Sequence, residues 1–123
     1  MNAMVGNPGD LTNRFNPLYV QFYKKSQVLQ PATIFVFLDE QADTLNDGFF
    51  VNVLEENAWG NLPGSYHNGG ANCTFADGHL ESHHWQVPST LRPVQQARLS
   101  GKIPAQPTTD FDWLKQRTSP KRS

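Results

Sequence analysis

The chain has one cysteine, Cys73, in 123 residues. That excludes an internal disulfide framework. It has no excess of either charge. Ten Lys+Arg stand against 11 Asp+Glu, a formal net charge of −1 with histidine neutral. A nucleic-acid binder shows a basic face or stripe, so that class is set aside. No apolar run approaches the roughly 18 to 20 residues needed to cross a bilayer, and no direct membrane insertion is expected of these residues. Met1-Asn2-Ala3-Met4 has neither the basic region nor the apolar run of a secretory signal. Apolar residues make up only 37%, below the usual share for a globular chain. Turn formers are plentiful instead, with nine Gly and nine Pro. The length allows one domain, 1–123, held by a modest core.

Three stretches divide that domain. Residues 1–17 carry Gly6, Pro8, Gly9, Asn13, Asn16 and Pro17, a loop-like composition. Residues 18–88 hold the sheet core. Leu18 to Tyr23 fits a short strand or one helical turn. Thr33 to Leu38 is apolar or β-branched throughout, which predicts a central strand covered on both faces. Phe49 to Leu54 predicts a second strand, and Trp59 falls in the loop after it. Asn72–Ala76 and His79–Trp85 flank Asp77-Gly78, a strong hairpin signal if the link is a type I′ turn. Residues 89–123 form a C-terminal wrap. Pro93 to Leu99 suggests one or two helical turns, and 102–109 a Pro/Thr linker. A helix over about 110–117 follows, capped by Thr109 and docked by Phe111 and Leu114 with or without Trp113. Ser119–Ser123 reads as a mobile tail.

A two-residue turn would pair Phe75 with Leu80, Thr74 with Glu81 and Cys73 with Ser82. Alternation then puts Cys73, Phe75 and Leu80 toward the core. Thr74, Ala76, His79, Glu81 and His83 would share the other face. Imidazoles and carboxylates there suit Zn²⁺ or a similar divalent metal. His79 and His83, however, would lie about 13 Å apart, too far to share one ion. His67 with His79, and Asp77 with His79, remain open as pairs. Asp39-Glu40 ends the first strand and reads either as paired carboxylates or as a strand meeting water. Cys73, on the core face, reads as inert packing. Trp59, Trp85 and Trp113 read as core anchors, with a sugar-stacking surface as the rival.

His67, nine residues, then Asp77-Gly78, set within Tyr66-His67-Asn68-Gly69-Gly70-Ala71 and Phe75-Ala76-Asp77-Gly78-His79, resembles the signature of prepilin-type processing-associated proteins. These are pseudopilin-like members of the type II secretion and type IV pilin superfamily. Phe35–Glu40, Asn46–Phe50 and Trp113–Thr118 resemble segments that occur in the same order in such proteins. The resemblance spans roughly residues 26–118. It implies a bacterial cell-envelope protein. A prepilin leader and an apolar anchoring helix would precede a periplasmic β-domain that packs with other pseudopilin or secretion-system subunits. Leader and helix are missing from this sequence, as in a truncated reading frame or a trimmed product. Some superfamily relatives bind Ca²⁺ in a C-terminal loop. Asp39, Glu40, Asp43 and Asp47 are acidic enough for that but lack an ordered ligand spacing. The motif residues His67, Asp77 and Gly78 carry over from the resemblance, and His67 reads as the residue that pins the glycine loop, Gly69-Gly70, onto the hairpin. Asp77 reads as accepting backbone N–H groups across the turn, and Gly78 as the residue the turn needs.

The expectation is therefore an α+β, mainly-β domain: a small antiparallel sheet over 33–38, 49–54, 72–76 and 79–85, with short helices and extended C-terminal segments. The role expected is that of a structural or assembly subunit in protein transport, not an enzyme, with no cofactor. The rivals are a metal-binding or hydrolytic domain centred on His67, Asp77 and His79, and a carbohydrate-binding module using Trp59, Trp85 and Trp113. A bound metal would draw on His67, Asp77, His79, Asp39 or Glu40.

Overall fold

The computed structural model describes residues 1–12, 14–99 and 101–123, so Asn13 and Ser100 lie outside the described residues. Within them the chain is a mainly-β α+β fold. Six strands form two antiparallel three-stranded sheets. The first is ordered β1 (Phe35–Leu38), β4 (Gly70–Phe75), β5 (Leu80–His84). The second is ordered β2 (Asn52–Val53), β3 (Ala58–Trp59), β6 (Ile103–Pro104). The segment expected at 49–54 thus joins a sheet of its own. The loop that holds Trp59 and the Pro/Thr linker supply its other strands.

The central strand of the first sheet is β4, and β1 lies at an edge. The apolar run at 33–38 is therefore not buried on both faces. Its register slips between Phe35 and Phe37. Phe35 is 1% exposed while Phe37 is 55% exposed. A bulge turns one ring into the core and the other outward.

One helix, α1 (Thr109–Lys115), packs Phe111 and Leu114 into the core, as their spacing predicts. Its N-cap is Thr108, one residue before the one expected, and it makes no side-chain cap bond. The described residues of 93–99 form no helix. Asp43 holds that stretch instead: its carboxylate accepts the Gln95 N–H at 2.8 Å, and its carbonyl accepts the Leu99 N–H at 2.8 Å. Backbone bonds to the Asp43 side chain, that of Gln95 foremost, lower its pKa.

Both ends of the chain are strapped down. The Asn2 side chain donates to the carbonyls of Phe35 and Thr118, at 2.9 and 3.0 Å. Residues 18–22 run extended between the two termini: Phe22 bridges Val5, and Tyr19 bridges Lys121. The tail at 119–123 is bonded, not free. The Val20 N–H donates to the Pro120 carbonyl, and the Arg122 N–H to that of Leu18. A single apolar cluster, from Met4 and Tyr19 through Phe35, Trp59 and Phe75 to Leu114, joins both sheets and the helix.

Candidate functional site

The residues of the His-x9-Asp-Gly pattern sit at the two ends of β4. At its start, Asn68 has φ +54° and Gly69 φ +80°. The His67 N–H donates to the Gly70 carbonyl at 3.2 Å, and the Gly70 N–H donates to that of His67 at 3.1 Å. Positive φ at both central positions, closed by this reciprocal pair, makes Asn68-Gly69 a type I′ turn. Gly70 is required for a different reason. A Cβ there would stand 2.5 Å from the His83 carbonyl oxygen, so β5 crosses against bare backbone.

At the far end, Gly78 has φ +93° while Asp77 is not in the left-handed region. The Gly78 N–H donates to the Phe75 carbonyl at 2.9 Å, and the Phe75 N–H to the His79 carbonyl at 2.9 Å. This is a three-residue loop, a type I turn followed by a left-handed glycine bulge, and not the expected type I′ link. The extra residue moves the register by one. Thr74 pairs with Leu80, Cys73 with Glu81 and Asn72 with Ser82. Every side chain of β5 changes face as a result. His79, Glu81 and His83 do share one face, as alternation requires, but it is the face of Cys73 and Phe75. Leu80 points the other way and is 61% exposed.

The candidate site residues fall into two separate pairs. Nε2 of His67 stands 3.2 Å from Oδ2 of Asp39 at the exit of β1. The same oxygen accepts the Asn72 N–H at 3.0 Å. His67 thus pins its turn to the exit of β1, and not onto the β4–β5 hairpin as expected. Its neighbour Tyr66 reinforces the contact: its hydroxyl accepts the Ala42 N–H and donates to the Glu40 carbonyl.

At the other end, His79 Nδ1 donates to Asp77 Oδ1 at 2.5 Å, and the His79 backbone N–H donates to the same oxygen at 3.1 Å. Asp77 therefore accepts the backbone bond the turn was expected to give it. His79 Nε2 faces Glu81 Oε2 at 3.5 Å. The imidazole also stacks on the Phe75 ring, centroids 4.5 Å apart. The bond to Asp77, with Glu81 adding to it, raises the His79 pKa above its ordinary 6.5. The backbone and side-chain bonds from His79 lower that of Asp77.

The length of β4, about 16 Å at roughly 3.3 Å per residue, separates the two pairs. His67 does not meet Asp77 or His79. Asp39 and Glu40 also diverge. Glu40 is half-buried and accepts the Thr44 hydroxyl and the Asn61 amide at 3.0 and 2.8 Å. Burial pushes its pKa up to about 7, against the opposing pull of those two bonds. Among the described residues, no group of three or more His, Cys, Asp or Glu is placed to hold a metal ion. Cys73 is fully buried, and that burial pushes its thiol up to about 12. A thiol in that state is packing and not a nucleophile.

Trp85 and Trp113 meet edge-on, ring centroids 5.8 Å apart, with His83 against both, while Trp59 packs separately against Phe111. Trp59 is 1% exposed and meets Phe111 edge-on. Trp85 is buried, with its indole N–H donating to the Gly64 carbonyl at 2.9 Å. Trp113 is half-buried, stacked on His83 with centroids 3.6 Å apart, and the Arg117 guanidinium lies 4.1 Å over its ring.

Sequence reasoning missed the buried polar residues that hold these pieces in place. Asp110, 2% exposed, takes the backbone N–H groups of Gln86 and Val87 just past β5. Asn16 accepts the Leu54 N–H and donates to the Asn52 carbonyl. Asn61 accepts the Val51 N–H. In the sequence these look like ordinary loop and helix-start residues. Only Tyr66, next to the motif histidine, carried a local hint. No helix of the described residues is long and apolar enough to cross a membrane. Compared with protein-family models, curated proteins and solved structures, the chain matches none.

Proposed function

We propose that this chain is the globular part of a pseudopilin-like subunit of a type II secretion or type IV pilus-like system. It acts through protein–protein contacts on the periplasmic side of the cell envelope, with no reaction and no cofactor of its own. The observation that carries this reading is the use the fold makes of the motif. His67, Gly69 and Gly70 build and pin the turn before β4, while Asp77, Gly78 and His79 build and brace the turn after it. A spacing of nine residues between His67 and Asp77 is the length of one strand with its two turns. The motif then serves a hairpin of fixed length and shape, which suits a subunit whose task is to present a surface. The mainly-β fold is also the kind of domain the sequence resemblance implies.

The test is the coding DNA upstream of Met1. An in-frame prepilin leader followed by an apolar helix supports the reading. A stop codon directly upstream, with no such segment, overturns it.

A further inference from the structure

The two edges of the first sheet are treated differently. The β1 edge is closed by other parts of the chain. The Asn2 N–H donates to the Val36 carbonyl at 2.8 Å, the Asn2 side chain to that of Phe35 at 2.9 Å, and the Phe35 N–H to the Arg117 carbonyl at 2.9 Å. The β5 edge is open. The Trp85 N–H donates to Gly69, and the His79 carbonyl accepts from Phe75, so the odd-numbered residues of β5 bond toward β4. Antiparallel alternation then turns the N–H and C=O groups of Leu80, Ser82 and His84 outward. Among the described residues, no backbone group of another segment bonds to them. An edge of this kind is a template for another strand, and chains blunt it with Lys, Pro or a covering segment. Leu80-Glu81-Ser82-His83-His84 has none of these.

We propose that β5 pairs antiparallel with the β5 of a second copy of this chain, about a two-fold axis at Ser82. The strand is complementary to itself in that register. Ser82 meets the second copy's Ser82, and Leu80 meets the second copy's His84. These are the residues whose backbone groups face outward, so each opposed pair exchanges both bonds. Glu81 lies directly opposite the second copy's His83 on the other face, a carboxylate against an imidazole, twice per dimer by symmetry. A slip of one residue would break both matches. The pairing also covers Leu80, which is 61% exposed on an otherwise polar strand. The product is a continuous six-stranded sheet with β1 at both ends, where the edges are already closed. This dimer rests on β5 alone and stands or falls independently of the secretion-system reading.

Sedimentation velocity across the micromolar to millimolar range is the test. Wild-type protein should move reversibly from monomer to twice the chain mass. Ser82→Pro removes one outward N–H and leaves the β4 ladder untouched, since proline is tolerated where that group faces solvent. It should stay monomeric with an unchanged circular dichroism spectrum. Ser82→Ala loses the hydroxyl that bonds Asn72 but keeps the backbone donor, and it should still dimerise. If the proline variant fails to fold, Ser82→Lys decides, because it sets two ammonium groups face to face on the axis. A nitroxide on Ser82→Cys should show strong dipolar broadening at high concentration and none at low. A wild-type chain that is monomeric throughout overturns the proposal. So does a dimer that survives Ser82→Pro or Ser82→Lys, or one whose labels at position 82 stay far apart, as they would if another part of the chain formed the contact.

Discussion

Gly78 and Gly70 show that two glycines of one motif are needed for unrelated reasons. Around Gly78 a new Cβ meets nothing within 4 Å, so only its φ of +93° resists a side chain. Gly78→Val should therefore cost about 1–3 kcal/mol through backbone strain alone. Gly70 is not left-handed, but its Cβ would collide with the His83 carbonyl. Gly70→Ala should cost at least as much and should splay the β4–β5 ladder, which amide hydrogen exchange at Glu81 and His83 would reveal. Equal exchange in both variants would show that the close approach is not what the glycine serves.

His79 gives a second test at this scale. Its raised pKa means that its contribution to stability is complete below 6.5 and fades as pH climbs through the raised value. Asp77, shifted down, contributes above its ordinary 3.8 and loses that as pH falls through its lowered value. The turn is most firmly clasped between those limits. A proton NMR titration should place the His79 midpoint above 6.5, and Asp77→Asn should bring it down. An unmoved midpoint would remove Asp77 as the cause.

At the scale of elements, the hairpin was legible and its register was not. Asp77-Gly78 announces a reversal, yet glycine after aspartate serves both a two-residue I′ turn and a three-residue loop with a left-handed glycine. The choice lies in the φ of Asp77, which contacts of the turn with the rest of the fold decide. The Asp77 N–H donates to the Pro31 carbonyl and the Ala76 N–H to that of Ile34. The true I′ signal, Asn68-Gly69, lay nine residues earlier without an obvious strand before it. Likewise the run at 33–38 is apolar enough for a central strand, and only the bulge and the strand order turn Phe37 outward. Helix α1 was readable because its acids and its apolar spacing agree, although Thr109, the expected cap, is its first residue. What joins it to the hairpin was not readable. The Asp110 carboxylate takes the half-buried N–H of Gln86 and the buried N–H of Val87, 24 and 23 residues away. Asp110→Ala should cost about 1–3 kcal/mol, because the buried Val87 N–H loses the carboxylate to which it donates at 2.8 Å. Chemical denaturation would measure it. A loss under 1 kcal/mol would mean that water reaches these groups.

For the whole molecule, the shortage of apolar residues explains why both ends of the chain are needed. A core this lean leaves loops to be fixed by buried amides: Asn2, Asn16, Asn52 and Asn61 are each no more than 6% exposed. Asn2 bonds Thr118 across nearly the full length of the sequence. Such long-range polar straps leave no periodic trace, so loop composition at 1–17 and at 119–123 was all the sequence displayed. The tail is the simpler strap to remove. Ending the chain at Thr118 deletes the acceptor of the Val20 N–H and the donor to the Leu18 carbonyl. It also deletes the Ser119 hydroxyl bond to the Val20 carbonyl. The loss also removes Pro120 from the wall of the apolar groove that it lines with Val20, Phe22 and Ile34. With the Arg122 Nε bond to the Tyr19 carbonyl, four hydrogen bonds are lost, and the exposed Lys121–Glu55 pair adds little. At about 1 kcal/mol for each hydrogen bond the cost is roughly 3–4 kcal/mol, or about 10–15 °C in melting temperature for a chain of this size. Differential scanning calorimetry of the shortened chain should find that fall. It should also remain a single transition, because strap and core share one cluster. A second transition would show that residues 18–22 unfold on their own and that the tail closes a flap instead of completing the core.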